Sequence, residues 1–332
     1  MPLKSPFESV AKSGQGKVVL SLLPPSVPAF STITYKYPLK LLTHSPGFVP
    51  ESSALPCASP PVHLYILTYG GGLLPGDHID VSITLNPQTR LVVTTPQGST
   101  KIFRTEPHGH RRDSLGTPAA ELSDMSRQTL DVRIGREAAL CYLPDPCVPF
   151  KDSRYEQVQT FTVDEAAKSS LCVLDWVTQG RTARGEHWDF HLWRGKNEVW
   201  SVDETTGDKK LLHRDSLILE DENGEGLIRE RTTPHGIVGT LILYGPLFDS
   251  LASFLVQRFA SQPRIGAPSS TSSSSPNLDS NVTWIVARVR AGFVLVKFGA
   301  KDHEAAKQWL GGLLREEGSV EREFGHEALR CL

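Results

Sequence analysis

The feature that most constrains this chain is a hydrophobic period of two. From Ile79 to Leu85, the apolar residues Ile79, Val81, Ile83 and Leu85 face one way, and Asp80, Ser82 and Thr84 face the other. That is the signature of a strand with one face buried. Leu130, Val132 and Ile134 repeat it, as do Trp188, Phe190 and Leu192. Further strand-like runs are Lys17–Leu23, Ala29–Tyr37, Val62–Tyr69, Arg90–Thr95, Glu156–Val163, Leu171–Thr178, Glu198–Val202 and Lys209–Leu219. Gly, Pro and Asn punctuate these short runs, which together predict a mainly β, large antiparallel architecture.

Two helices are expected near the end. Leu247, Leu251, Phe254, Leu255 and Arg258 place an apolar stripe on a helix from about Phe248 to Phe259. Ala306, Trp309, Leu310, Leu313 and Leu314 form a second stripe, with Asp302 placed to accept the free N–H groups of its first turn. Both stripes suit burial in the core better than an external interface. Between them, Trp284–Phe298 reads as a hairpin turning near Ala291-Gly292. Three segments read as surface insertions: 45–61, 107–126 and a Ser-rich linker at 262–280.

Several function classes are excluded by composition. A net charge of -2 leaves no basic face for displacing counterions from nucleic acid. No apolar run reaches the ~20 residues of a membrane helix, and the N-terminus lacks a signal-type apolar core. The chain therefore reads as cytoplasmic. Five cysteines without a Cys-x-x-Cys pair argue against a disulfide framework or a zinc knot.

Four segments hold the candidate chemistry. Gly70–Asp77 is Gly-rich, but a strand follows it where a phosphate loop needs a helix, so it reads as a turn. Thr94–Arg104 is a strand–turn–strand whose hydroxyls, Thr94 and Thr95 first, could line a polar surface but are equally the usual residues of a turn, which the spacing alone favours. Leu143–Phe150 packs three prolines into eight residues and makes a rigid corner containing Asp145. Asp175 lies in an apolar run, so its carboxylate needs a partner or water, and Arg181, Arg184 and Glu186 follow it. These charges suit an internal ion-pair cluster or a polar, water-filled passage. His187, Asp189 and His191 alternate on one expected strand face and could ligate a divalent metal, although alternate polar residues are also what an exposed face carries. No nucleophile elbow, zincin motif or nucleotide fingerprint is present.

Taken in order, Gly70–Asp77, Thr94–Arg104, Tyr142–Phe150 and Asp175–Glu186, with Gly239–Gly245 before the first helix, resemble the UreD (UreH) family of urease accessory proteins. The likeness covers about residues 15–316, apart from the insertions, and implies a single domain over 1–332. The chain departs from the family pattern at Pro75, at Pro96 and Gly98-Ser99, and at Cys147, where an aliphatic residue is usual. The resemblance implies a β-helical or barrel-like fold and a non-enzymatic role. It also implies a complex with UreF and the GTPase UreG, as a dimer of heterotrimers, docked on apo-urease. Nickel would pass transiently through the chain, with no tightly bound cofactor. On that reading Asp77, Asp145, Asp175 and Glu186 line the nickel path, and Arg181 and Arg184 balance their charge. Two other readings stay open: a metal-dependent hydrolase using His187, Asp189 and His191, and a passive β-rich adaptor.

Overall fold

The computed structural model describes residues 12–47, 49–50, 59–95, 100–104, 125–164, 168–202, 206–221, 226–262, 281–290 and 292–332. Most of the three expected insertions lies outside these residues. So do Cys57 and the Pro96–Ser99 turn.

The strands form two sheets. In chain order they are β1 (Gln15–Leu23), β2 (Val27–Tyr35), β3 (Leu39–His44), β4 (Val62–Thr68), β5 (Gly72–Leu73), β6 (His78–Leu85), β7 (Arg90–Thr94), β8 (Thr100–Ile102) and β9 (Ser126–Ile134). They continue with β10 (Ala139–Tyr142), β11 (Cys147–Pro149), β12 (Arg154–Val163), β13 (Ser170–Thr178), β14 (Leu192–Val202) and β15 (Lys209–Glu220). Helix α1 (Leu227–Thr232), β16 (Ile237–Tyr244), α2 (Asp249–Ala260), β17 (Val282–Arg290), β18 (Phe293–Ala300), α3 (His303–Glu317) and α4 (Ser319–Phe324) complete the chain. One sheet has the order β15-β14-β12-β9-β6-β1-β2, and the other runs β17-β18-β16-β13-β10-β7-β4-β3 with β5, β8 and β11 attached.

The mainly β expectation holds, but its antiparallel part needs correcting. From β6 to β13 the chain alternates between the sheets, and successive strands within each sheet pair in parallel, as in β6–β9, β9–β12, β7–β10 and β10–β13. This is a coil, so the β-helical expectation describes the centre. Antiparallel ladders flank it, in β1–β2, β3–β4, β14–β15, β16–β18 and the hairpin β17–β18. Among the described residues each sheet runs as an open path, without barrel closure. A period of two reports which face is buried and carries no information on the direction of the neighbouring strand.

Burial separates the sheets as the sequence does. In β12 buried and half-buried residues alternate along the whole strand, because its outer face meets solvent. In contrast, β7 and β10 are buried at every position. Their sheet is covered on both faces: one apolar cluster lies between the sheets, and a second lies between this sheet and the helices. Leu251, Leu255, Trp309, Leu310 and Leu314 of the two expected helical stripes are consumed in that second cluster. Asp302 caps α3 as expected, its Oδ1 accepting from the Ala305 N–H at 2.8 Å. The structure adds two short helices, α1 and α4, to the two expected. Among the described residues no helix is long and apolar enough to cross a membrane.

Coil direction places the candidate motifs together. The β6–β7, β9–β10 and β12–β13 turns lie at one end of the coil. At the other end lie the start of β6 with Asp77, the end of β7 with Thr94 and Thr95, Asp145 after β10, and the loop after β13 with Arg181 and Glu186. The Gly70-Gly71 turn has φ of +83° and +75°, which a side chain would strain, and no helix follows it.

Candidate functional site

At that end of the coil the two sheets enclose a cavity of 20 Å³, room for about one water molecule. Its walls include Thr95, Asp145, Gln157, Gln159 and Asp175. Asp175 points between the sheets because its neighbours Leu174 and Trp176 face the helical cluster. Its Oδ1 accepts from Gln157 Nε2 at 3.0 Å and its Oδ2 from Asn197 Nδ2 at 2.7 Å. Burial raises the carboxyl's pKa; the Asn197 and Gln157 hydrogen bonds and Lys297 oppose that shift, while Asp215 adds to it. Asp175 is only half-buried by area, since its remaining surface gives onto the cavity. Gly195 keeps the place open: a Cβ there would lie 2.5 Å from the Trp193 ring and 3.3 Å from Asp175 Oδ2.

Asp145 reaches the same cavity from the proline-rich corner. Its N–H donates to Thr95 Oγ1 at 2.8 Å. Burial raises its pKa too, against the pull of Lys307 and a hydrogen bond from Cys331. The Cys331 thiol is in turn pushed up to about 12, first by burial and then by Asp145. Thr94 is buried in β7 beside this corner. Burial also raises the Tyr142 and Cys147 pKa values, so the phenol and the thiol stay protonated at neutral pH.

The other expected carboxylates are occupied. Glu186 is held by Arg181, which donates its backbone N–H to Oε2 at 2.9 Å and its guanidinium to Oε1. Burial pushes the Glu186 pKa up, but the Arg181 hydrogen bonds outweigh it and the net shift is downward. Arg181 also lies over the Phe150 ring, 3.7 Å from its centroid. Arg181 thus balances the charge of Glu186. Arg184 is exposed and has no charged partner among the described residues. Asp77 closes its own turn: its Oδ2 accepts from Leu74 N–H at 2.8 Å, and its N–H donates to Leu74 O at 2.9 Å. Neither Asp77 nor Glu186 lines the cavity.

His187, Asp189 and His191 do not form the expected strand face. The chain is irregular there, Trp188 has φ of +62°, and β14 begins only at Leu192. Asp189 Oδ2 accepts from His187 N–H at 2.9 Å, while His191 faces the Asp221 carbonyl and Asp152. Among the described residues no three His, Cys, Asp or Glu side chains converge as a metal cage.

Comparison with known proteins bears on these same segments. The model of the UreD urease accessory protein family matches residues 15–329. The chain belongs to the UreD family of urease accessory proteins. Urease accessory protein 4 of Cryptococcus neoformans is 30% identical over 93% of this chain and 91% of its own length. A urease accessory protein ureD-like sequence of Schizosaccharomyces pombe is 30% identical over 89% of this chain and 91% of its own. Urease accessory protein D of Arabidopsis thaliana is 34% identical over 69% and 67%.

In this UreD-family chain the carboxylates were legible as candidates, but the amides around them were not. Gln157, Gln159 and Asn197 are 7%, 1% and 2% exposed. The available signal lay in alternation: Gln157 and Gln159 share a face with Tyr155 and Phe161, which are buried. An amide on an otherwise apolar strand face marks a polar spot inside the fold.

Proposed function

We propose that this UreD-family chain is a non-enzymatic scaffold and conduit for nickel in urease maturation, acting in the cytoplasm. It assembles with UreF and the GTPase UreG, as a dimer of heterotrimers, and docks on apo-urease. Nickel is its cargo and not a resident cofactor. The observation that carries this reading is that Asp145 and Asp175, from separate motifs, line one internal cavity with Thr95 and two glutamines. Such a lining is chemically suited to passage. Carboxylate, hydroxyl and amide oxygens bind a divalent cation weakly enough to release it, whereas a His/Cys cage would trap it. Arg181 and Glu186 fix the loop beside the cavity, and Asp77 fixes the turn below it. At 20 Å³ the cavity is narrower than a hydrated cation, so the reading requires the walls to part as an ion enters.

The test is reconstitution of urease activation with nickel, cognate UreF, UreG and apo-urease, with and without this chain. Asp175→Asn and Asp145→Asn should each lower activation while UreF still co-purifies. Full activation by both variants, or activation that does not need the chain, would overturn the proposal.

A further inference from the structure

The ladder registers reveal a polar layer running sideways from the cavity. On one sheet Gln159, Asn197 and Asp215 stand side by side on β12, β14 and β15. On the other, Asp175, Thr240 and Lys297 stand side by side on β13, β16 and β18. The two rows meet across the gap between the sheets. Asn197 donates to Asp175 at 2.7 Å, and Lys297 Nζ donates to Asp215 Oδ1 at 2.5 Å. The adjacent layer is apolar on one sheet, with Val173, Ile242 and Leu295, and holds Phe161, Val199 and His213 on the other.

This layer is rich in oxygen and poor in donors. Asn197 Oδ1 and Gln159 Oε1 are buried without a hydrogen-bond partner, in side chains 2% and 1% exposed. The orientation of Asn197 follows from Asp175, which accepts from Nδ2 and so leaves Oδ1 unmatched. A buried acceptor without a donor is costly, and a cation satisfies it as well as a proton donor does. The positive charge facing the layer is the Lys297 ammonium. It stands at the solvent end: the Lys297 side chain is 49% exposed and that of Asp215 is 11%. Beyond them β15 and β17 end their sheets, so the layer reaches the open seam between the sheets.

We propose that this layer is a lateral cation branch of the cavity, gated by Lys297, whose ammonium leaves Asp215 when a hydrated divalent cation enters. In the resting chain Lys297 neutralises the oxygens in the place a cation would take. On entry the ammonium swings into solvent, and Asp215, Asn197, Gln159 and Asp175 supply oxygen to the ion. The proposal takes its cargo from the conduit reading above.

The experiment titrates the full chain with Ni²⁺ alone by isothermal calorimetry. Removing the competing charge in Lys297→Met should tighten Ni²⁺ binding about tenfold. Asp215→Asn removes a ligand and frees the ammonium toward Asp175, so it should weaken binding by a similar factor. Asp175→Asn in the Lys297→Met background should abolish the gain. A merely structural ion pair would move both single variants in the same direction, and that result, or equal affinity in Lys297→Met and wild type, overturns the gate. Should Lys297→Met fail to fold, an unchanged affinity in Asp215→Asn overturns it instead. The conduit reading fails separately. If Lys297→Met binds more tightly but urease activates equally without the chain, the branch stands and the conduit falls.

Discussion

Acid should destabilise this protein through His63. His63 lies on β4, directly opposite His44 of β3, and is 1% exposed. Its ring meets those of His44 and Tyr65 edge-on, with centroids 6.2 and 6.4 Å away, and its Nε2 is buried without a partner. Burial lowers its pKa to about 4; Glu327 opposes the shift, while His44, Arg330 and His326 add to it. The unfolded chain takes up this proton near the ordinary value of about 6.5, whereas the folded chain refuses it until about 4. Stability is therefore fully present above the unfolded value and is lost as pH falls from there toward the folded one. Between pH 7.5 and pH 5 the loss from this one group is about 2 kcal/mol, rising to about 3 kcal/mol at pH 4. The first figure corresponds to roughly 3 °C in melting temperature for a chain of this length. Urea unfolding of wild type and His63→Gln across this pH range isolates the contribution. The wild type should lose about 2 kcal/mol more than the variant between pH 7.5 and pH 5. Parallel acid profiles in the two proteins would refute the reasoning.

Other perturbations should separate structural from functional charge. Arg90 and Glu323 form an ion pair 2.8 Å apart, each side chain 1% exposed, that ties β7 to α4. Arg90→Met should cost about 3–5 kcal/mol in urea unfolding, because it strands a buried carboxylate. Arg181→Met should release the loop around Thr182–Arg184, seen as faster tryptic cleavage at Arg184, since it removes the hydrogen bonds to Glu186. Trp309→Ala opens a cavity under α3, where the indole is 2% exposed, and should destabilise by about 3–5 kcal/mol in thermal unfolding. In reconstituted urease activation, Asp175→Asn should lose more than Asp77→Ala, because only Asp175 lines the cavity.

The sequence by itself determined which residues point inward. Alternation in Ile79–Leu85 located β6 and its buried face, and the apolar spacing in Ala306–Leu314 located α3 and what it covers. Hydrophobic burial acts on each strand or helix locally, so a one-dimensional pattern can carry it. Family membership was also legible, because the turns of Gly70–Asp77 and Asp175–Glu186 demand particular residues at fixed spacing. Tertiary structure alone decided the strand directions and the neighbours. Parallel pairing within the coil depends on strands separated by a whole turn, and no residue in β6 encodes β9 as its partner. It likewise decided that Asp145 and Asp175 share a cavity while Glu186 is spent on Arg181 and Asp77 on its own turn. A carboxylate's role is set by what surrounds it in space, and for Asp175 that is Gln157 and Asn197 on the facing sheet.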